Sequence, residues 1–149
     1  MTLLDAPNYD PAKAKKRRNL LIAAVSICVL LAGLTWYFWN WPQEHLVNQF
    51  FSTVEAGDLP KAFAIWNHDP DWQKHTDRYK TYPYGRFELD WGHASEWGDI
   101  KSHKIVMSKT TGSGVVVGVD VNGQKTPVFL WVERKNKTLG FSPVELSTE

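Results

Sequence analysis

Cysteine is nearly missing from this chain. Cys28 is the only one in 149 residues, so an intramolecular disulfide and a multi-thiolate metal site are both excluded. No segment repeats, and no tract is of low complexity. Residues 42–149 carry 12 Lys/Arg against 14 Asp/Glu, a net of −2, and lack the basic stripe that nucleic acid would demand. Gly112-Ser113-Gly114 lacks the following helix and lysine of a phosphate-binding loop and reads as a flexible strand connection. With Cys28 inside an apolar run, no Cys/His pair can be argued, and no Ser/His/Asp set presents itself either.

The most consequential absence is of charge in residues 20–41, LLIAAVSICVLLAGLTWYFWNW. As an α-helix this run spans roughly 33 Å, against about 30 Å for a hydrocarbon core. Lys13, Lys15, Lys16, Arg17 and Arg18 precede it, and Trp36, Tyr37, Phe38, Trp39 and Trp41 crowd its far end. Basic residues favour the cytoplasmic side and amphipathic rings settle at headgroup level. The expectation is a cytoplasmic tail (1–19, net +3), a transmembrane helix (20–41) and an exoplasmic domain (42–149), single-pass in a cell inner membrane with the domain periplasmic. The membrane anchor residues are then Lys15, Lys16, Arg17, Arg18, Trp36, Tyr37, Trp39 and Trp41.

A cleaved signal peptide fits less well. The run exceeds the usual apolar core of about 7–15 residues, and its bulky end offers no small-x-small cleavage site. Lipoprotein processing at Cys28 is disfavoured by Ile27 before it and by its place in mid-run. Gly33 has no second glycine four residues away, so the GxxxG dimer motif is absent. Anionic lipid accounts for the basic tail better than nucleic acid does. Residues 1–14, with two prolines and no helical period, read as a disordered tail or a short docking peptide.

The remaining 108 or so residues suffice for one modest core. Leu46, Val47, Phe50, Phe51 and Val54 share one face of a helix expected over 42–56. Gly57 supplies a left-handed stop and Asp58 an N-cap, with Pro60 in the first turn of a second helix to Asn67. Asp69-Pro70-Asp71 opens a helical turn around Trp72, and a third short helix is expected over 83–91. Residues 92–98 read as a loop with Trp97 folded inward.

From Ile100 the period becomes alternating, with strands expected over 103–109, 115–121, 125–134 and 139–146. Asn122-Gly123 predicts a two-residue hairpin in which Val117 opposes Val128, Val115 opposes Leu130 and Asp120 pairs with Lys125. One face then carries Val115, Val117, Val119, Val128, Leu130 and Val132, and the other Val116, Phe129 and Trp131. Both faces are apolar, so Val116, Phe129 and Trp131 form the expected interaction surface, against the sheet's own edge, a second subunit or the bilayer. The fold class is α+β: one N-terminal transmembrane helix, then a small domain of two or three helices on a curved antiparallel meander.

Phe50-Phe51, Glu55-Ala56-Gly57-Asp58, Ala62-Phe63-Ala64-Ile65-Trp66 and Gly98-Asp99-Ile100, followed by strands to Leu146, together resemble the nuclear-transport-factor-like (cystatin-like) α+β superfamily. The resemblance covers residues 43–146. It implies a sheet wrapped round the helices as a cone, serving as an enzyme in ketosteroid isomerase and scytalone dehydratase and as a binding or assembly module in many other members. In layout alone the chain is also similar to the single-span periplasmic scaffold subunit of type IV secretion machines.

Two polar clusters are candidates for chemistry. His68, Asp69, Asp71, His75 and Asp77 have the donor types of a metal site, with His68, Asp71 and His75 the candidate ligands, yet Asp69-Pro70-Asp71 is equally a helix start. Asp90, His93 and Glu96 lie between Trp91 and Trp97, where a carboxylate beside indoles can act as a general base. Asp90 and His93 are thus the candidate catalytic residues. The strand-borne candidates are His103 and Glu133, but the inferred core face between Val115 and Val132 has no ionisable group, which disfavours catalysis. No cofactor is implied. The eight tryptophans divide into interfacial anchors (Trp36, Trp39, Trp41) and five that are more often core than binding platform.

The sequence therefore points to a non-catalytic bitopic membrane protein. Its exoplasmic domain binds another envelope protein or itself. Two alternatives stay open: a membrane-tethered ligand-binding protein or enzyme with a pocket near Asp90, His93 and Trp97, and an accessory single-helix subunit of a larger membrane complex.

Overall fold

A computed structural model describes residues 10–146, and the chain divides after Trp39 into two compact units. The first contains helix α1, Pro11–Tyr37. Asp10 caps it, accepting from the backbone N–H groups of Ala12 and Lys13, and Pro11 occupies the first turn, where its missing N–H costs nothing. That cap overturns part of the expectation for the tail, since residues 11–14 are helical and the basic residues sit on the same continuous helix as the apolar run. The large apolar side chains of residues 20–39 are 51–86% exposed. This helix is long and apolar enough to cross a membrane.

The second unit is α+β, with helices α2 (Trp41–Glu55), α3 (Leu59–Asn67) and α4 (Tyr84–Trp91) preceding four strands. Trp41 begins α2 and stacks on His45 (5.2 Å between centroids), so this ring belongs to the second unit rather than to α1. The α2–α3 corner forms as its residues dictate: Gly57 takes φ +76°, and Asp58 accepts from Lys61 N–H. Two 3₁₀ turns, Trp72–Lys74 and Thr76–Tyr79, lead to α4.

Strands β1 (His103–Thr111), β2 (Gly114–Val121), β3 (Val128–Glu133) and β4 (Leu139–Phe141) form an antiparallel sheet in sequence order. The hairpin register differs from the expected one. Asn122 and Gly123 do take positive φ (54° and 71°), and Gln124 N–H closes the turn on Val121 O at 3.0 Å. The ladder stops there, because Pro127 has no N–H to give, and resumes at Val128 opposite Val119. Leu130 therefore opposes Val117 and Val132 opposes Val115. The slip is two residues, an even number, so each side chain keeps its face. The Asp120–Lys125 pair is lost, and Asp120 stands opposite Lys104 of β1 instead.

The valine face packs on α2, α3 and α4. Phe50, Phe51, Phe63 and Phe87 are fully buried, Trp91 is 1% exposed, and their rings meet edge to face with centroids 5.0–6.1 Å apart. Such pairing adds to the apolar burial that holds the helices on the sheet.

Candidate functional site

The expected interaction surface is mostly closed by its own rings. Val116 is fully buried, so it offers nothing to a partner and drops out of that surface. Gly114 and Gly118 explain why. A Cβ on Gly114 would lie 2.5 Å from Trp131 Cζ2, and one on Gly118 would lie 3.0 Å from Phe129 Cε1 and 2.8 Å from Met107 Cγ. The missing side chains let both rings lie down on the strand, covering Val116 between them. Trp131 and Phe129 are left half-buried.

The first polar cluster resolves into local structure. Asp69 accepts from the Tyr79 hydroxyl (2.6 Å), pairs with His75 Nδ1 (2.9 Å) and takes the Asp71 N–H on its other oxygen (3.0 Å). The Tyr79 hydroxyl, then His75, hold the Asp69 carboxyl below its ordinary range. Asp71 pairs with Lys74, and His68 takes a left-handed φ of 51° as the α3 C-cap. His68, Asp71 and His75 are thus not brought together, and no three His, Cys, Asp or Glu converge among the described residues.

Asp90 and His93 are separated as well. Asp90 accepts from the Tyr82 hydroxyl (3.0 Å) and pairs with Arg86 (3.3 Å) at a groove shared with Glu96, Trp97 and Phe141. His93, 93% exposed at its side chain, pairs with Asp99 and lines a different hollow with Glu55 and Trp91. A base and acid acting on one substrate would have to share a site, and these two do not.

Burial pushes the Tyr82 hydroxyl well above the usual phenol range. Its hydrogen bond to Asp90 and that carboxylate's charge add to the rise, while the Trp91 indole and Arg86 oppose it. A folded value raised above the unfolded one, about 10, means a stabilisation that is complete below about pH 10 and lost as pH climbs toward the folded value. Tyr82→Phe is accordingly expected to flatten the alkaline loss of stability, read as urea midpoints between about pH 8 and pH 11. An unchanged alkaline slope would remove Tyr82 from that role.

A seam between α2 and β1 was not legible beforehand. His103 stacks on Phe51 (5.3 Å), with Nδ1 at 2.6 Å from Glu55 Oε1 and Nε2 at 3.0 Å from Asn48 Oδ1. Further along, Ser108 donates to Glu44, and Asn40 Oδ1 accepts from Thr110 (2.9 Å) and Arg134 (2.8 Å). Asn40, Glu44 and Asn48 recur every four residues, a stripe on one side of the helix. The register shift of β1 between Ile105 and Met107 turns Ser108 and Thr110 to meet it. These groups hold one another across the seam.

A further feature is a groove of about 420 Å³ at the β3–β4 end, lined by Trp97, Phe129, Phe141, Pro127, Glu96 and Glu145 among others. It adjoins the groove at Asp90, of about 460 Å³, through Glu96, Trp97 and Phe141. Trp97 and Phe141 both stack on the buried Trp91, at 5.3 Å and 5.7 Å, the latter within 3° of parallel. Phe141 remains 46% exposed and neighbouring Leu89 56%. Of the expected surface residues only Phe129 reaches this groove. Phe141 was hidden from the sequence because it read as one more strand position. Comparison with known proteins returns no matching family model, no matching curated protein and no matching solved structure.

Proposed function

We propose that this is a single-pass envelope protein, anchored in the inner membrane by α1 with its N-terminus cytoplasmic, whose periplasmic α+β domain is a non-catalytic interaction module. The observation that carries the reading is the contrast between the sheet's two ends of use. The helix-facing side is filled by buried valines and aromatic rings, while an aromatic-floored groove stays open to solvent with Phe141 half exposed. An exposed ring seated on a rigid core suits a binding anchor. The basic residues before the apolar run and the aromatic residues at its end support the orientation. The reading also follows the resemblance of residues 43–146 to the nuclear-transport-factor-like superfamily, many of whose members are binding or assembly modules.

A photo-crosslinking side chain placed at Phe129 or Phe141 in intact cells should give a discrete protein adduct, and one at the buried Val116 should give none. Absence of adducts at both open positions, with the purified full chain monomeric in detergent, would defeat the interaction role.

A further inference from the structure

The groove floored by Trp97 and Phe141 has a lopsided charge. Two of its ten lining residues, Glu96 and Glu145, are carboxylates, and none is Lys, Arg or His. Neither carboxylate joins an ion pair among the described residues. Lys125 belongs to the loop that contributes Gln124 and Thr126 but does not itself line the groove. In the adjoining groove Asp90 is already matched by Arg86, so the unmet charge lies beside the exposed Phe141 and the half-buried Trp97.

An aromatic face attracts a cation, and carboxylates beside it strengthen the attraction. A bare metal ion would need several converging oxygen or nitrogen ligands, which are not brought together among the described residues. A lysine or arginine side chain suits the site better. Its aliphatic stem covers the ring while its charged head reaches the carboxylates. The two hollows, about 420 and 460 Å³, run into each other through Glu96, Trp97 and Phe141, which is more room than one side chain fills.

We propose that this groove receives an extended, lysine- or arginine-bearing segment of a partner protein, one cationic side chain lying over Trp97 and Phe141 and its charge meeting Glu96 and Glu145. The inference rests on the interaction role above and adds to it the chemistry of the partner.

The test uses the full chain in phosphatidylcholine nanodiscs, a bilayer without anionic lipid to compete for the probe. The probe is the peptide acetyl-Arg-Pro-Arg-Pro-Arg-amide, and its binding is followed by the ¹⁹F resonance of 5-fluorotryptophan at position 97, assigned with Trp97→Phe. The peptide should shift this resonance saturably, and more weakly as salt rises. The Glu96→Gln/Glu145→Gln double variant, altered only at exposed positions, should bind roughly tenfold less tightly. The acidic counterpart acetyl-Glu-Pro-Glu-Pro-Glu-amide should give no shift. Equal binding by the double variant, equal binding of the acidic peptide, or no saturable shift overturns the proposal. Displacement of the peptide by tetramethylammonium at the same concentration overturns it too, because the site would then be one for small cations. If crosslinks from Phe129 or Phe141 still form while the peptide arm fails, the interaction role stands and only the partner chemistry falls. If both fail, both fall.

Discussion

Trp91→Ala is expected to cost the domain about 3–5 kcal/mol, the range for emptying a large buried ring site. The residue is 1% exposed, and its ring links the helix aromatics to the two rings of the groove. It meets Phe50 and Phe51 of α2 edge-on at 5.0 and 5.6 Å, lies 5.5 Å from Trp66 of α3, and stacks under Trp97 and Phe141. Domains of this size are commonly stable by about 5–15 kcal/mol, so most of the margin would go. Urea unfolding of the full chain in micelles should show the midpoint collapse, with the groove rings losing their fixed orientation. Trp97→Ala is the comparison. That ring is half-buried, so its removal is expected to cost no more than about half as much. Equal costs for the two would mean that Trp91 does not carry the packing between the helices and the groove rings.

What the residues disclose in advance, and what they hide, follows from the range of the forces involved. Gly57-Asp58 fixes the α2–α3 corner through a positive φ and one capping bond, both local, and both are found where expected. The faces of β2 and β3 are equally local, because parity alone sets them. Register is not local: Asn122-Gly123 turns as its residues require, yet Pro127, four positions on, decides where pairing restarts. The α2–β1 seam is hidden for a related reason. Asn40, Glu44 and Asn48 look like a solvated helix stripe until the irregularity in β1 brings Ser108 and Thr110 round to face it. In the candidate site, Trp97 was readable as an inward ring and Asp90 as its neighbour, but the groove joins residues 86–97 to residues 124–145. Only the folded sheet puts those segments side by side. Val116 failed as a surface residue because Gly114 and Gly118, which let the neighbouring rings lie flat, carry no hydrophobic signal of their own.

Asn122→Ala is expected to cost about 2–4 kcal/mol and to loosen the groove from outside it. The turn needs a positive φ at this position, 54°, which alanine adopts only at about 1–2 kcal/mol. The side chain also ties down the segment that carries Trp97. Its Oδ1 accepts from Lys101 N–H (2.8 Å) and Ser102 N–H (3.3 Å), and its Nδ2 donates to Asp99 O (2.9 Å) and Trp97 O (3.2 Å). Each such bond contributes about 0.5–1.5 kcal/mol when its partners can otherwise reach water, and bonds sharing one amide are not additive. Asn122→Gly separates the two causes, since glycine accepts the backbone angle but leaves the carbonyls and amides unheld. The glycine variant should fall between wild type and alanine in stability, with both variants showing faster hydrogen exchange at the Lys101 and Ser102 amides. A glycine variant as stable as wild type would assign the whole effect to the turn. Unchanged exchange at those two amides would show that Asn122 does not hold the Trp97 segment, and that the groove keeps its shape without this clamp.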